Sequence, residues 1–263
     1  MVVETIPKMV GFIYALIMIF VIAYLWFAKK WNQKIGWLIL VVSALMGFLV
    51  FAPVAPYQFQ QIALGNAQEP GASLIAGVAG LLVILILSLL LGRFFCGYLC
   101  PVGSVQEIAY HARVPKINQR YPRALMVVRA AFFIVFLAAA FLFSANLLAL
   151  FGIRDFFYLS LTEGSVVFAA IVIVSFLFYR PFCRMVCPYG FLLALAAARS
   201  RCKIERTDAC IECKKCETIC PTGESKRDDA KAECYLCGRC IEVCPKDALV
   251  YRRITSQEKE PGL

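Results

Sequence analysis

One stretch of this 263-residue chain, residues 210–245, constrains its fold more than any other. It reads CIECKKCETICP and later CYLCGRCIEVCP, so that each half spells C-x2-C-x2-C-x3-C-P. Thiolates at such short spacings face one iron–sulfur cluster from a single tight loop, whereas zinc sites alternate cysteine pairs with longer gaps and often add histidine. The pattern therefore favours iron–sulfur clusters over paired zinc knuckles or a disulfide framework.

The spacing also assigns the eight cysteines to two [4Fe-4S] clusters. In two-cluster ferredoxins the fourth cysteine of each run, which precedes proline, binds the cluster of the other run. The first cluster is assigned to Cys210, Cys213, Cys216 and Cys244, and the second to Cys234, Cys237, Cys240 and Cys220. Short strands are predicted on either side of the runs, at residues 203–205 and 248–251.

The rest of the chain has the composition of a membrane protein, because 61% of all residues are hydrophobic and the mean hydropathy is +0.75. Five apolar runs predict transmembrane helices, at residues 9–28, 35–51, 72–92, 124–150 and 165–179, of which the last is short. The first run is too long for a signal peptide and leads into Lys29 and Lys30 instead of a cleavage site, so we expect it to be retained.

These features predict the fold class. We expect an all-α polytopic membrane domain with about five transmembrane helices over residues 1–200, and a small α+β ferredoxin-like domain with two [4Fe-4S] clusters over residues 201–253. Residues 254–263 are predicted to form a polar, frayed tail. Cys202, at the entrance of the second domain, is predicted to be a small buried hydrophobe.

The distribution of basic residues predicts the orientation. The connections at residues 29–34 and 93–123 hold eight Lys and Arg, whereas those at 52–71 and 151–164 hold only Arg154. The positive-inside rule then places the N-terminus outside and the cysteine-rich region on the cytoplasmic side of the cytoplasmic membrane of a prokaryote. It also explains the basic excess without nucleic acid, and it predicts that Arg180, Arg184 and Arg199 are interfacial anchors. Arg129 is predicted to snorkel to the interface.

Four further cysteines lie in an internal duplication. Residues 93–103 (RFFCGYLCPVG) and 180–190 (RPFCRMVCPYG) both fit R-x-F-C-x3-C-P-x-G, and both follow an apolar run. Thiols at i and i+4 share one face of a helix. Cys96, Cys100, Cys183 and Cys187 are therefore predicted to form a third metal or redox centre at the membrane surface, made of iron–sulfur or copper. Buried thiols and a redox-active dithiol pair are the alternatives.

His111 is the single histidine of the chain, which excludes a bis-histidine haem held by this chain alone. Together with Glu107 it lies in residues 102–113, which are predicted to lie amphipathically at the interface. These two residues are candidates for proton exchange with a quinol, because histidine titrates in the required range. A solvated interfacial histidine is the alternative.

The combination of paired C-x3-C-P motifs with a two-cluster ferredoxin run resembles the NapH/NosR-type membrane iron–sulfur proteins, most closely the NapH-like branch. The resemblance covers about residues 93–253. It implies transfer of electrons from the membrane quinol pool to a partner in a respiratory reductase system. NapH-like proteins are usually described with four spans and both termini inside, so the five apolar runs depart from that pattern.

The sequence therefore predicts an electron-transfer subunit of an oxidoreductase complex, which works between the quinone/quinol pool and a partner redox protein. The direction of electron flow is open at this point, because cluster potentials cannot be read from ligands alone. An accessory protein that supplies electrons for copper or metal-centre maturation is one alternative. A redox-sensing regulator is another.

Overall fold

The computed structural model describes residues 2–51, 54–64, 74–117 and 122–254, and most of them are helical. The helices are α1 (Val2–Phe27), α2 (Gln33–Val50), α3 (Ala55–Ala63), α4 (Leu74–Leu91), α5 (Pro101–Tyr110), α6 (Pro122–Phe143), α7 (Ile153–Phe157), α8 (Glu163–Val174), α9 (Pro188–Ala198), α10 (Lys215–Ile219) and α11 (Arg239–Glu242). Two π-helical turns (Phe95–Leu99 and Phe182–Val186), a 3-10 turn (Leu147–Phe151) and two strands, β1 (Cys202–Arg206) and β2 (Leu249–Arg253), complete the described chain.

Three helical segments within the described residues are long and apolar enough to cross a membrane, namely Val10–Phe27, Gln33–Val50 and Ala124–Phe143. They correspond to the first, second and fourth predicted spans. The third predicted span, residues 72–92, falls on α4, and the first two residues of that span lie outside the described ones. The fifth falls on α8, which has 12 residues, whereas a crossing needs about 20. The count of five spans therefore stays a prediction.

Helix α3 lies within residues 52–71, which were predicted to be a connection between spans. It begins with Ala55 and Pro56, and proline suits the first turn of a helix because its missing N–H would have no partner there. The helix is polar for a segment inside an apolar bundle, since it carries Gln58, Gln60 and Gln61. It packs against α4, α6 and α9.

The C-terminal region forms strands where the sequence predicted them. Strands β1 and β2 pair antiparallel in the register Cys202↔Arg253 to Arg206↔Leu249. Cys202 is buried in β1, as predicted. Helices α10 and α11 each contain the third cysteine of a run, Cys216 or Cys240, and end before the fourth. The domain boundary at residue 200 stays a prediction, and the tail at 255–263 lies outside the described residues.

The C-terminal region packs directly onto one end of the helices. The Gln33 side chain donates a hydrogen bond to the carbonyl of Cys237 (3.2 Å), and the Tyr98 hydroxyl donates to the carbonyl of Leu236 (3.0 Å). Gly97 approaches the carbonyl of Tyr235 so closely that no side chain would fit there. The second cysteine run therefore rests on the start of α2 and on the first π-helical turn.

Candidate metal centres

The two copies of the duplicated motif fold in the same way. In each, a π-helical turn ends at a cysteine with extended backbone, Cys100 (φ −71°, ψ 118°) or Cys187 (φ −62°, ψ 112°). The following proline, Pro101 or Pro188, starts a new helix. The cysteines of each pair consequently lie on a π-helical turn and just after it, and the expected placement on one face of an α-helix is wrong.

The paired motifs lie inside the bundle, among the helices, and the predicted position at the membrane surface stays a prediction. A side chain on Gly47 would place its Cβ 2.5 Å from the Cβ of Pro101, so the two segments touch at that point. Gly47 is about 21 Å along α2 from Gln33, at a rise of 1.5 Å per residue. Because Gln33 contacts the C-terminal region, Cys100 lies deep among the helices.

Helix α5 runs back from this depth alongside α2, and it ends where His111 meets Trp37 edge-on with ring centres 4.5 Å apart. The prediction that residues 102–113 form an amphipathic interfacial segment is therefore wrong for α5. Most residues of this helix are buried, and its polar side chains bond internally. Ser104, for example, donates to the carbonyl of Tyr98 (3.1 Å).

The four motif cysteines line one cavity together with Ala55 and Pro56 of α3. This places Cys96, Cys100, Cys183 and Cys187 side by side, as the duplication predicted. Two of the sulfurs accept hydrogen bonds. Gln106, which is fully buried, donates from Nε2 to the sulfur of Cys183 (3.4 Å), and the backbone N–H of Gly190 donates to that of Cys187 (3.2 Å).

Two further cavities each contain one predicted set of ferredoxin-type ligands. One is lined by Cys210, Cys213, Cys216 and Cys244, and the other by Cys220, Cys234, Cys237 and Cys240. The grouping supports the crossed assignment, in which the last cysteine of each run joins the other set, although the ligands themselves stay a prediction. Cys213 is the exposed member of the thirteen cysteines, all of which are free thiols.

The arginines of the duplicated motif are buried and reach across to the opposite copy. Arg180 is 0% exposed and donates to the carbonyls of Gly97 (2.6 Å) and Cys96 in the first copy. Arg93 is 1% exposed and donates to the carbonyl of Gly190 (3.4 Å) in the second. The prediction that Arg180 is an interfacial anchor is therefore wrong. Arg93 and Arg180 both stand at the first position of the duplicated motif. An interfacial anchor would not need a fixed position in a motif, so this position is the signal in the sequence for another role.

Arg129 and Arg184 are also buried, which corrects the predictions of a snorkelling side chain and an anchor. Both pair with Glu233 of the C-terminal region, with 3.7 Å between Nε of Arg184 and the carboxylate. Arg93 lies 3.5 Å from the same carboxylate. Glu233 was not predicted from the sequence, because its only local signal is a position next to Cys234. Arg199 remains exposed, as an anchor requires.

The buried charges fit an anionic group at the paired motifs. Among the described residues four arginines are buried (Arg93, Arg129, Arg180 and Arg184), against two glutamates (Glu107 and Glu233), so two positive charges are in excess. An uncompensated buried charge is costly. Four thiolates around a [4Fe-4S] core carry net negative charge and would balance the excess, whereas neutral thiols would not.

The number of sulfurs at each site suits an iron–sulfur cluster. Each of the three cavities is lined by four cysteines, which is the number of thiolates that hold a [4Fe-4S] cluster. The donor sets present therefore fit such clusters, and the number of clusters stays a prediction.

Glu107 and His111 lie side by side, as predicted, but their environments differ. Burial raises the pKa of Glu107, yet the guanidinium groups of Arg239 and Arg180 outweigh it and hold the pKa at about 2. Burial and the nearby Arg239 lower the pKa of His111 below its usual value. A carboxylate with so low a pKa is a weak proton acceptor, so the geometry favours charge pairing as the role of Glu107.

Comparison with known proteins adds an independent observation about the duplicated motif. The profile of a 4Fe-4S binding domain matches residues 73–120 and residues 161–206. Each match contains one copy of the motif, and neither reaches the ferredoxin-type runs. The repeat found in the sequence is therefore one that recurs in an iron–sulfur domain family.

Three relatives are each similar to about two thirds to three quarters of this chain. An uncharacterized protein of Methanocaldococcus jannaschii is 30% identical over 189 residues, which cover 66% of this chain and 78% of the relative. YccM of Escherichia coli, named for electron transport, is 27% identical over 73% of this chain and 60% of its own length. The ferredoxin-type protein NapH of Escherichia coli is 25% identical over 65% of this chain and 66% of its own length. No solved structure matches the chain.

Proposed function

Because the chain belongs to the family of NapH-type membrane iron–sulfur proteins, we propose that it passes electrons between the quinone/quinol pool and a partner redox protein of a respiratory reductase system. Its relatives and the matching 4Fe-4S domain support an iron–sulfur electron-transfer role. Bound [4Fe-4S] clusters supply one-electron transfer, which a two-electron carrier such as quinol needs to be coupled to a one-electron partner.

The observation that carries this function is the order of the three four-cysteine cavities. The first lies deep among the helices near Gly47. The second belongs to the cysteine run that rests on the first motif turn through Gly97 and Tyr98. The third contains the exposed Cys213. Such a row of sites leads from the interior of an apolar bundle to water, which is what a membrane-bound electron carrier requires.

The chain's own residues keep this row in place. Tyr98 and Gln33 hold the second cysteine run through its backbone carbonyls, and Glu233 joins it to three buried arginines. Aromatic rings exclude water around the junction, where Trp26 meets Tyr251 edge-on with ring centres 5.7 Å apart. The carrier sites are thus fixed by side chains that do not themselves react.

We also propose that the C-terminal region faces the cytoplasm of a prokaryotic cell and that the N-terminus lies outside. The support is that the basic connection at residues 29–34 and the end of α5 lie at the end of the bundle that carries the C-terminal region. The positive-inside rule assigns that end to the cytoplasm. Residues 201–253 are proposed to form the separate ferredoxin-like domain.

Iron content tests the three sites. Iron and acid-labile sulfide per chain would be measured for the purified wild type and for a Cys100→Ala, Cys187→Ala double variant. We expect about twelve irons in the wild type and about eight in the variant, since each cluster holds four. A Cys202→Ala variant, which changes a buried cysteine outside the three sets, is the matched control. About eight irons in every protein would mean that the paired motifs hold no cluster.

Reduction by quinol tests the exchange with the membrane pool. Anaerobic protein in detergent or lipid would be mixed with a short-chain quinol analogue, and cluster reduction would be followed by absorbance and EPR. We expect reduction at a rate that saturates with quinol. If quinol does not reduce clusters that dithionite reduces, while the reduced protein reduces added copper, the maturation role replaces the proposed one.

A further inference from the structure

A polar cavity of about 300 Å³ lies at the end of the bundle away from the C-terminal region. It opens between α3, the 3-10 turn at Leu147–Phe151 and α7, just beyond the last residues of α2 and α6. Its polar lining comprises Tyr57, Gln60, Gln61, Asn146, Arg154 and Asp155. Helix α2 begins at the C-terminal region and ends next to this cavity, so the cavity lies on the opposite side of the bundle from that region.

The two glutamines of this cavity are unusual for their surroundings. Gln60 is 1% exposed and Gln61 is 3% exposed, whereas the apolar side chains of Phe143 and Leu150, on either side of Asn146 in the sequence, are 78% and 67% exposed. A surface of this kind faces lipid. Buried polar side chains in such a setting are costly and commonly mark a substrate pathway. The amides of Gln60 and Asn146 contact one another, which brings donors and acceptors of α3 and the 3-10 turn together.

Helix α3 connects this cavity to the four-cysteine cavity at the paired motifs. Ala55 and Pro56, in its first turn, line the cysteine site, whereas Gln60 and Gln61 line the polar cavity. Pro56 and Gln60 are about 6 Å apart along a helix axis. A ligand in the polar cavity would therefore lie one turn of helix from the cysteine site.

We propose that this cavity binds the headgroup of a quinone or quinol that enters from the lipid phase, an inference that rests on the proposed function. The ligand's two oxygens accept hydrogen bonds as a quinone and donate them as a quinol. Amide side chains can meet both needs, because each carries a donor and an acceptor. The volume suits a single ring, since small-molecule pockets begin at roughly 300 Å³.

The position of the cavity determines where the electrons and protons of a bound quinol go. Oxidation of a bound quinol to quinone releases two electrons and two protons. The electrons would leave one at a time towards the adjoining site, where Cys96, Cys100, Cys183 and Cys187 would hold an iron–sulfur centre able to accept single electrons. The protons leave through the open side of the cavity, where Asp155 can accept them and pass them to water. Electrons and protons would then depart towards opposite ends of the bundle. In the reverse direction the same groups return the protons to a quinone.

Substitutions in the lining of the cavity test the proposal. Gln60→Leu and, as a second variant, Asn146→Leu remove polar groups from the lining, while Gln58→Leu changes a glutamine of the same helix that does not line the cavity. Each purified holoprotein would be reduced with a short-chain quinol analogue, then with dithionite, and binding of the oxidised analogue would be measured directly. We expect quinol reduction and quinone binding to weaken at least tenfold in the first two variants, with dithionite reduction and iron content unchanged. The Gln58→Leu protein should match the wild type.

The alternative place for the headgroup is His111 at the other end of the bundle. Wild-type rates of quinol reduction in both Gln60→Leu and Asn146→Leu would overturn the inference, and so would a His111→Gln variant that alone loses quinone binding. Either result leaves the proposed function intact, because the wild type is still reduced by quinol. A wild type that dithionite reduces and quinol does not would overturn the proposed function and this inference together.

Discussion

Two arginines, Arg93 and Arg180, bring positive charge to the cysteine site at the paired motifs. Each is buried, and each donates to backbone carbonyls of the opposite copy of the motif. A buried cation stabilises negative charge nearby far more than one in water does. Reduction adds a negative charge to a cluster, and neighbouring charge and hydrogen bonds to the sulfurs set its potential. The two arginines should therefore favour the reduced state.

Replacement of Arg180 by glutamine should lower the midpoint potential of the centre at the paired motifs. We expect the equilibrium constant for its reduction to fall about tenfold, which corresponds to about 59 mV for one electron. An EPR-monitored redox titration measures this. The two proposed ferredoxin-type clusters serve as internal references, and Arg199→Gln, at an exposed arginine, is the matched control. An unchanged potential in a variant that keeps all its iron would contradict the prediction, whereas Arg180→Lys should lie close to the wild type.

A smaller shift in the same direction is expected for Gln106→Leu. This change removes the hydrogen bond from Nε2 to the sulfur of Cys183, and leucine is the residue at the corresponding place of the second repeat, Leu193. Loss of an N–H···S bond destabilises the more negatively charged sulfur of the reduced cluster. The same titration gives the result. A potential that rises, or that stays at the wild-type value with full iron content, would show that this hydrogen bond has no electronic role.

At the scale of single residues, the sequence could predict which cysteines group together, because thiol spacing within a run determines which sulfurs can face one cluster. The duplication likewise predicted the meeting of Cys96, Cys100, Cys183 and Cys187, which line one cavity. It could not predict their counter-charges. Glu233 lies 104 residues from its partner Arg129, and nothing in the local sequence of either residue points to the other.

At the scale of elements, the junction between the C-terminal region and the helices depends on buried ion pairs. Glu233 precedes the second cysteine run and pairs with arginines of three different segments, Arg93, Arg129 and Arg184. Removing one partner from such a group leaves uncompensated charge in a low dielectric, which is strongly destabilising. The junction therefore fixes the second cysteine run against the motif turns.

Replacement of Glu233 by glutamine should consequently destabilise the folded protein by about 3 kcal/mol, because three buried arginines lose their shared carboxylate. For a chain of this size this corresponds to a fall of roughly 6–12 °C in the midpoint of thermal unfolding. Differential scanning fluorimetry of the holoprotein in detergent measures the fall. Glu242→Gln, at an exposed glutamate of the same region, is the control. Equal midpoints for the two variants would show that the junction does not depend on this carboxylate.

Helices that are apolar throughout could be predicted from the sequence, whereas short helices that pack through polar side chains could not. Helices α1 and α2 match predicted spans because an uninterrupted apolar run has few other stable structures in lipid. Helices α3 and α5 contain glutamine and glutamate, which the sequence analysis read as a connection and as an interfacial segment. Their polar groups are buried because other segments of the chain complement them, and such pairings depend on the whole fold.

At the scale of the whole molecule, the three cysteine sites differ in their access to water. Cys100, Cys183 and Cys187 are buried among the helices, whereas Cys213 is exposed at an edge of the C-terminal region. Two exposed lysines, Lys214 and Lys215, follow it directly and line the same cavity. Since electron transfer is fastest at short range, a soluble partner should exchange electrons at this edge.

A small anionic oxidant tests that conclusion without knowledge of the natural partner. Ferricyanide should oxidise the dithionite-reduced protein through the edge at Cys213, because its charge keeps it out of the apolar bundle and draws it to Lys214 and Lys215. We expect the rate, measured by stopped-flow absorbance, to fall severalfold in a Lys214→Glu, Lys215→Glu double variant. The rate should also fall as salt screens the attraction over about 10 Å at 0.1 M.

The matched control reverses the charge of Lys29 and Lys30, which are exposed on the connection between α1 and α2 and form a second basic face, beside a cavity that Cys213 does not line. If oxidation entered through that face, this second double variant would be the slower one, and the first would keep the wild-type rate. If both variants slowed equally, net charge would govern the reaction and no edge would be preferred. A decrease confined to the first variant identifies the edge at Cys213 as the place where electrons leave the protein for water-soluble acceptors, at the opposite end of the molecule from the cavity between α3 and α7.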